Sequence, residues 1–425
     1  MRILSLLLVF ASLLSLFSCS KGLSLAETVT ADAIGQSKSS EKDVQTEVFE
    51  YPAVCDKLSL QRINSFPVVS SEMTERELRQ LCVDFFAYCQ SFAWTPSEDY
   101  TYTVESKDRE TVLKQGEVYG GLPYVTGGRG NIYRLMEYYN EETGVVNVKL
   151  AGSNPLDFGN QCSFGAFWAW ARVVNSASFG GTGHMVAKNG FLPVGSYQYD
   201  LSISEFGNPT TVDICHENGE QTMFRAYAEL EIADGLVRSD GAGHVIMCAS
   251  EPVVVKNADG TINGKESYFT YIHQASVWSD QKQSDGSSFR AQTVPYTKKS
   301  FAETVKENYL PFTFAEFTGA DPVEKSETVF THTESTMTVA QMKEAVIVSN
   351  YAISDAYLTV TDEKGAVLLT KTVHPEKIDQ KSLCLGTGLY PAELNKLAAE
   401  NRIITVTCRI GTGETPTVYK GTLVS

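Results

Sequence analysis

Cys162 lies at a predicted junction of a loop and a helix, where a cysteine can act as a nucleophile. Gly159 and Asn160 interrupt regular structure, and Cys162 then opens an apolar, Ala-rich run over residues 162–172. This pattern predicts a loop that leads into a helix with Cys162 in its first turn. A thiol there faces the positive end of the helix, which lowers its pKa and favours the thiolate. The unpaired N–H groups of that turn can also hold the oxyanion of a tetrahedral intermediate.

A thiolate nucleophile needs an imidazole that takes its proton and returns it to the leaving group. His244 is the best partner, because it follows a Gly-rich loop and opens a predicted strand over residues 244–248. A third polar group should orient that imidazole. Either His273 or the adjacent Gln274 is suited to this role, at the end of the next predicted strand. His184 is a rival base, which we expect in a loop that covers the site.

Three segments carry a resemblance to a known family. The start of the Cys162 run resembles the D-C-S-x-F-V motif of the NlpC-type, papain-like cell-wall cysteine peptidases. Residues 121–128 (GLPYVTGG) resemble the G-x-P-Y-x-W-G-G loop of that family. Residues 232–237 (IADGLV) and 243–245 (GHV) resemble its G-D-x-V and G-H-V segments. The pieces also occur in the family order, and together they cover about residues 112–280.

The resemblance implies an α+β fold with a papain-like core, in which a helix packs on an antiparallel sheet. It implies Cys162 as nucleophile, His244 as base and a peptidoglycan stem peptide as the substrate, cleaved at an amide bond. It also implies that Tyr124 lines the cleft. We further expect Gln161 and Ser163, which flank the cysteine, to contact the substrate. This chemistry needs no cofactor, and the chain has no H-E-x-x-H or paired-cysteine motif for a metal.

Two departures from the family pattern support a different class of protein. Gln161 replaces the Asp that precedes the family's cysteine, and the intervals from Tyr124 to Cys162 and from Cys162 to His244 are long. A cysteine beside aromatic residues is also commonly an inert, packed thiol. The alternative is therefore a catalytically silent lipoprotein of the cell envelope that binds a glycan or a protein partner.

Length and composition set the frame for this site. The chain has 425 residues, which allows two or three domains, and 43% of them are hydrophobic. A net charge of −16 argues against nucleic acid as a partner, since phosphates require a clustered basic surface. Nine cysteines over this length are too few for a disulfide scaffold. Oligomeric state is left open by the sequence.

The N-terminus indicates export. Residues 1–18 have one Arg followed by an apolar run, which is typical of a secretory signal. Leu16 to Cys19 resemble the lipobox of bacterial lipoproteins, in which the cysteine is lipidated and becomes the new N-terminus. Residues 19–48 contain no aromatic residue and are predicted to form a flexible tether. We therefore expect a membrane-anchored lipoprotein in the cell envelope, either periplasmic or on the cell surface.

The remaining elements must position the site. Thr74 and Glu77 form a capping-box pattern, and helical spacing then continues to Phe92, before a turn predicted at residues 94–96. Cys82 and Cys89 are expected to be apolar fillers on this helix. Short strands are predicted at residues 244–248, 252–255 and 268–273. Residues 49–310 would then hold the N-terminal helical part and the catalytic core of residues 112–290.

The last hundred residues have a different pattern. Residues 310–327 are predicted to be a linker. Beyond it, residues 357–361 and 367–370 flank a turn and indicate a hairpin, and residues 403–410 alternate like a half-buried strand. This pattern predicts an all-β sandwich over residues 325–425. His332 and His374 fall in that part and are expected to be solvated.

Overall fold

The computed structural model describes residues 56–103, 110–151, 159–185, 189–199, 210–241, 243–282, 286–320, 322–390 and 402–424. The predicted signal, Cys19 and the tether lie outside these residues. The described residues form one compact unit that mixes helices with mostly antiparallel sheets, so the predicted α+β class is confirmed. No helix in the described ranges has the length and apolar character that crossing a membrane requires.

The elements are numbered in chain order. The helices are α1 (Leu60–Asn64), α2 (Glu75–Cys89), α3 (Ile132–Met136), α4 (Cys162–Trp170), α5 (Thr211–Asn218), α6 (Glu220–Tyr227), α7 (Phe301–Lys306), α8 (Ala315–Thr318) and α9 (Val339–Glu344). The strands are β1 (Ala93–Pro96), β2 (Tyr100–Thr103), β3 (Glu110–Leu113), β4 (Tyr119–Gly120), β5 (Tyr139–Asn140), β6 (Val145–Val146), β7 (Phe191–Pro193), β8 (Gly235–Arg238), β9 (His244–Cys248), β10 (Tyr268–His273), β11 (Ser279–Lys282), β12 (Ser288–Ala291), β13 (Thr297–Ser300), β14 (Leu310–Phe314), β15 (Thr328–Phe330), β16 (Thr336–Thr338), β17 (Val346–Ser349), β18 (Ile353–Thr361), β19 (Val367–Val373), β20 (Ser382–Cys384), β21 (Ile403–Ile410) and β22 (Thr417–Val424).

A six-stranded sheet in the order β13-β10-β9-β8-β14-β7 lies at the centre of the fold, and all of its neighbouring strands are antiparallel. The helix α4 packs on β9 and β10, and α2 packs on α4. Trp170 at the end of α4 contacts the rings of Phe312 and Phe314, with centroids 5.5 and 5.2 Å apart. Aromatic burial therefore fixes α4 against the sheet.

The helix α2 begins as predicted. Thr74 and Glu77 form a complete capping box, and Cys82 and Cys89 are both buried along the inner face. The prediction for residues 94–96 was wrong, because they belong to the strand β1. Trp94 is buried there and donates its indole N–H to the Gly121 carbonyl at 2.8 Å. Pro96 is the last residue of the strand, and the N–H of the next residue, Ser97, donates to the Val146 carbonyl at 2.9 Å.

Two further predictions of secondary structure were wrong. Residues 252–255 form no strand, and Val253 makes only an isolated bridge with Tyr268. The predicted linker at residues 310–327 begins instead with β14, which lies inside the central sheet between β8 and β7. All five residues of β14 are buried. Every residue of this strand is buried, including the polar Thr313, so the strand lacks the alternation that marks a half-buried strand.

The C-terminal part is rich in strands, as expected. It has a three-stranded sheet, β15-β17-β20, and a five-stranded sheet, β16-β22-β21-β18-β19. The predicted hairpin is confirmed as β18 and β19, and Asp362 stabilises its turn by accepting hydrogen bonds from the N–H groups of Lys364 and Ala366. The strand predicted at residues 403–410 is confirmed as β21. The short helix α9 also lies in this part, which is therefore not purely β.

This part packs closely on the rest of the fold. A Cβ atom on Gly411 would lie 2.5 Å from the carbonyl oxygen of Ala171, the residue after α4. The buried Asp355 forms an ion pair with Arg134 of α3 at 3.0 Å. His374, which we expected to be solvated, binds the same carboxylate at 2.7 Å. The end of α4 opposite Cys162 is thus held by the C-terminal part.

Candidate active site

Cys162 is the first residue of α4, as its sequence predicts. Its side chain is buried with 7% of its surface exposed. The polar groups that face the sulfur are backbone N–H groups, those of Val245, Ser163 and Cys162 itself. Val245 directly follows His244 in β9, so the thiol lies at the beginning of this strand.

The ionisation of this thiol differs from our expectation. Burial raises the pKa of Cys162, and the N–H groups around the sulfur and the charge of Arg238 only partly offset this effect. The expectation of a lowered pKa considered the helix start alone and was wrong. Because desolvation disfavours the charged form, Cys162 is a neutral thiol in this structure.

His244 and His273 form a hydrogen-bonded pair. Their strands β9 and β10 are antiparallel, and the register places His273 opposite Ile246. Since side chains two residues apart share a face, His244 and His273 lie on the same face of the sheet. His244 Nε2 lies 2.9 Å from His273 Nδ1. This geometry distinguishes the two candidates for the third group: the buried Gln274 donates instead to the Leu122 carbonyl at 2.7 Å.

Both imidazoles are neutral. Burial lowers the pKa of His244 to about 3, with further contributions from His273, Arg238 and Lys299. Burial also lowers the pKa of His273 to about 4, with a contribution from Lys299. One ring of the pair therefore donates and the other accepts. When His244 Nε2 carries the hydrogen, His244 Nδ1 has a free lone pair that can accept a proton.

The thiol and the imidazole pair are neighbours but are not hydrogen-bonded to each other. Among the described residues, no hydrogen bond joins the Cys162 thiol to His244. The Val245 N–H is the element of β9 that contacts the sulfur. The structure thus brings a neutral thiol and a neutral base to the same strand end, without a preformed thiolate–imidazolium pair.

The loop that carries Tyr124 lies alongside the segment before Cys162. Tyr124 is half-buried and forms a parallel bridge with Asn160. A Cβ atom on Gly159 would lie 2.2 Å from a methyl carbon of Val125, so only glycine allows the two backbones to approach this closely. The two segments that resemble separate family motifs are therefore in contact.

The residues that flank Cys162 have structural partners. The Gln161 side chain accepts from the Gly127 N–H at 3.0 Å and lies 3.4 Å from the Ser163 hydroxyl. Ser163 is 2% exposed, which corrects our expectation that it contacts a substrate, because its burial leaves no surface for one. Gln161 links the Tyr124 loop to the start of α4, and this is a positioning role.

The loop that carries His184 packs against the residue that precedes His244. Gly243, just before His244, has a φ of +65°, and a Cβ atom there would meet the Thr182 hydroxyl at 2.2 Å. Thr182 belongs to a short 3-10 helix, Thr182–His184. His184 itself is exposed.

Arg238 is the residue that sequence reasoning missed. It ends β8 and pairs directly with His244 across the sheet. The hairpin that joins the segments at residues 232–237 and 243–245 was the available signal, because closing it brings residue 238 opposite residue 244. No group of three or more His, Cys, Asp or Glu side chains within the described ranges is arranged to hold a metal ion.

The neutral imidazole pair predicts how stability depends on pH. In the unfolded chain the histidines bind protons near pH 6.5. In the folded protein the pKa is about 4 for His273 and about 3 for His244. The free energy of unfolding should therefore be largest above pH 6.5 and fall as the pH is lowered to about 4. The slope is about 1.4 kcal/mol per pH unit for each proton.

Urea unfolding between pH 4 and 7.5 checks this. His273→Asn should flatten the slope, because it removes one proton-binding difference, and His216→Gln on the exposed side of α5 is the matched control. A wild-type slope that His273→Asn leaves unchanged would contradict the neutral pair.

In comparisons with known proteins, no protein family, no curated protein and no solved structure matches this chain.

Proposed function

We propose that this protein is a cysteine amide hydrolase of the NlpC-type, papain-like class. The observation that carries the proposal is the hydrogen bond of 2.9 Å between His244 Nε2 and His273 Nδ1, at the strand end where the Cys162 sulfur meets the Val245 N–H. This bond holds His244 with its other ring nitrogen available as a base. The order of nucleophile, base and orienting residue along the chain agrees with the resemblance.

The neutral groups define how the reaction would start. As a substrate carbonyl carbon bonds to the Cys162 sulfur, the thiol proton moves to His244 Nδ1. The N–H groups of the first turn of α4 then stabilise the oxyanion. Collapse of the intermediate breaks the C–N bond, and the leaving amine takes the proton from His244. Water then attacks the thioester with His244 as the base and releases the acid and the free thiol.

The substrate and location belong to the same proposal. The resemblance supports a peptidoglycan stem peptide as the substrate, cleaved at an amide bond. The lipobox at residues 16–19 supports anchoring through a lipid on Cys19, in the cell envelope. The tether at residues 19–48 would separate the body from the membrane.

The buried thiol favours a second candidate function. The pKa of Cys162 is raised by burial, and no hydrogen bond links its thiol to His244 among the described residues. Both features fit an inert, packed cysteine. In that case the protein would be a silent lipoprotein of the cell envelope, whose body binds a glycan or a partner.

Digestion of purified muropeptides distinguishes the two candidates. We expect the wild type to release an amine and an acid, and Cys162→Ala to abolish product formation, because the nucleophile is lost. Mass spectrometry of the products checks this and identifies the cleaved bond.

Cys384→Ala is the matched control, since Cys384 is a half-exposed thiol in β20 that makes no part of the site. It should leave the rate unchanged. Equal product from wild type and Cys162→Ala would refute the mechanism. Absence of product from both, together with tight binding of the muropeptide, would favour the silent protein.

A further inference from the structure

A positive charge faces the candidate nucleophile from the neighbouring strand. Arg238 of β8 pairs with His244 of β9, so their side chains share a face with Cβ atoms about 5 Å apart. The charge of Arg238 acts on both Cys162 and His244. Its side chain is 34% exposed, so it is accessible to a ligand.

Arg238 makes one long ion pair among the described residues, and it shares that carboxylate with a second cation. Its nearest carboxylate is Glu307, at 3.8 Å, and Glu307 is already engaged by Lys299 at 2.8 Å. Its Nε is buried and has no hydrogen-bond partner within the described ranges, while its guanidinium lies over the Tyr309 ring at 5.5 Å. Two cations thus share one carboxylate beside two neutral imidazoles.

Glu303 also acts on Lys299, but its carboxylate accepts hydrogen bonds from Ser300 in the cap of α7, so Arg238 keeps donors for a ligand. A guanidinium presents donors in a fork that suits both oxygens of a carboxylate. We infer that Arg238 binds a carboxylate of the substrate next to the bond that Cys162 attacks. The inference rests on the proposed function and deepens it, because it names the substrate class as acidic peptides.

A pair of alkylating reagents tests the charge without the natural substrate. Iodoacetate carries a carboxylate and iodoacetamide is neutral, and both react with the same thiolate. The ratio of their rates at Cys162, followed by peptide mass spectrometry, is therefore independent of how much thiolate is present. We expect this ratio to be about tenfold higher than for free cysteine, equivalent to about 1.4 kcal/mol.

Variants of Arg238 attribute the ratio to its charge. Arg238→Gln should lower the ratio to that of free cysteine, and Arg238→Lys should restore part of it. Arg225→Gln, which removes an exposed charge on α6, is the matched control and should leave the ratio unchanged. Circular dichroism verifies that each variant is folded.

The possible outcomes separate the two proposals. A wild-type ratio equal to that of free cysteine, or a ratio that Arg238→Gln does not change, overturns the role of Arg238 alone. A Cys162 that reacts with neither reagent removes the nucleophile, and this result overturns both proposals. A raised ratio that depends on Arg238, in a protein that hydrolyses no peptide, supports the carboxylate site and refutes only the hydrolase.

Peptide substrates then identify the source of the carboxylate. A free C-terminus is compared with its amide, and a Glu side chain with Gln, in otherwise identical peptides. We expect Arg238→Gln to raise KM more than tenfold for whichever acidic form the wild type prefers and to leave KM for the neutral form unchanged. Equal effects on all four peptides would contradict the inference.

Discussion

Replacing Asp355 by asparagine is expected to lower the free energy of unfolding by about 3–5 kcal/mol, the typical cost of leaving one partner of a buried ion pair uncompensated. The Asp355 side chain is fully buried and forms the 3.0 Å pair with Arg134, whose side chain is 6% exposed. It also accepts hydrogen bonds from His374 and Ser354. The variant therefore leaves the buried Arg134 guanidinium, between α3 and β18, without its charged partner.

Urea unfolding at pH 7, with the slope of the transition as a check on two-state behaviour, measures this effect. Asp280→Asn is the matched control, because Asp280 pairs with Arg290 at 3.4 Å on the surface, where such a pair contributes about 0–1 kcal/mol. Equal losses in the two variants would contradict the tight attachment of the C-terminal part. Such a result would mean that β18 and α3 separate without a large energetic cost.

Local patterns account for the part of the fold that the sequence predicts. The capping box of α2, the hairpin turn at Asp362 and the alternation along β21 each depend on residues close in sequence. These features can therefore be predicted from the sequence. The strand β14 was missed for a physical reason. It is buried on both faces, so it shows no alternation of buried and exposed residues. The residues that follow it, up to residue 327, include charged residues and glycine, which are typical of a linker.

In the candidate site, too, some features follow from the local sequence and others depend on the fold. The position of Cys162 at a helix start and the strands of His244 and His273 follow from local signals. The choice between His273 and Gln274 does not, because it depends on which face of the sheet each side chain occupies, and thus on register. The raised pKa of Cys162 likewise depends on burial by distant segments, which no local pattern reports.

The structure places the charge of Arg238 beside His244, which the composition of the chain does not indicate. The overall composition indicates an acidic protein, and no cluster of basic residues surrounds residue 238 in the chain. Its position opposite His244 arises only when β8 pairs with β9, and Lys299 joins the same surroundings from β13. The charged groups beside a site can therefore differ from what the net charge of the chain suggests.

Replacing His244 by glutamine is expected to lower kcat/KM for any amide substrate by about 10³-fold, since a positioned acid–base group contributes 10²–10⁴. Glutamine keeps a similar size and a hydrogen bond to His273 but cannot take the thiol proton. Replacing His273 by leucine should cost less, roughly 10- to 100-fold. In the proposed mechanism His273 only orients His244, because as a neutral ring it does not supply the charge stabilisation of an aspartate.

The conservative variant His273→Asn gives the readout that separates orientation from folding. Its amide oxygen can accept from His244 Nε2, so it should recover most of the activity that His273→Leu loses, with the pH profile of kcat/KM unchanged. His184→Gln is the matched control, because His184 is exposed in the covering loop and should leave the rate unaltered. If His184→Gln abolished activity while His244→Gln retained it, the base would lie in that loop. The hydrogen bond between His244 and His273 would then be a structural contact within the sheet.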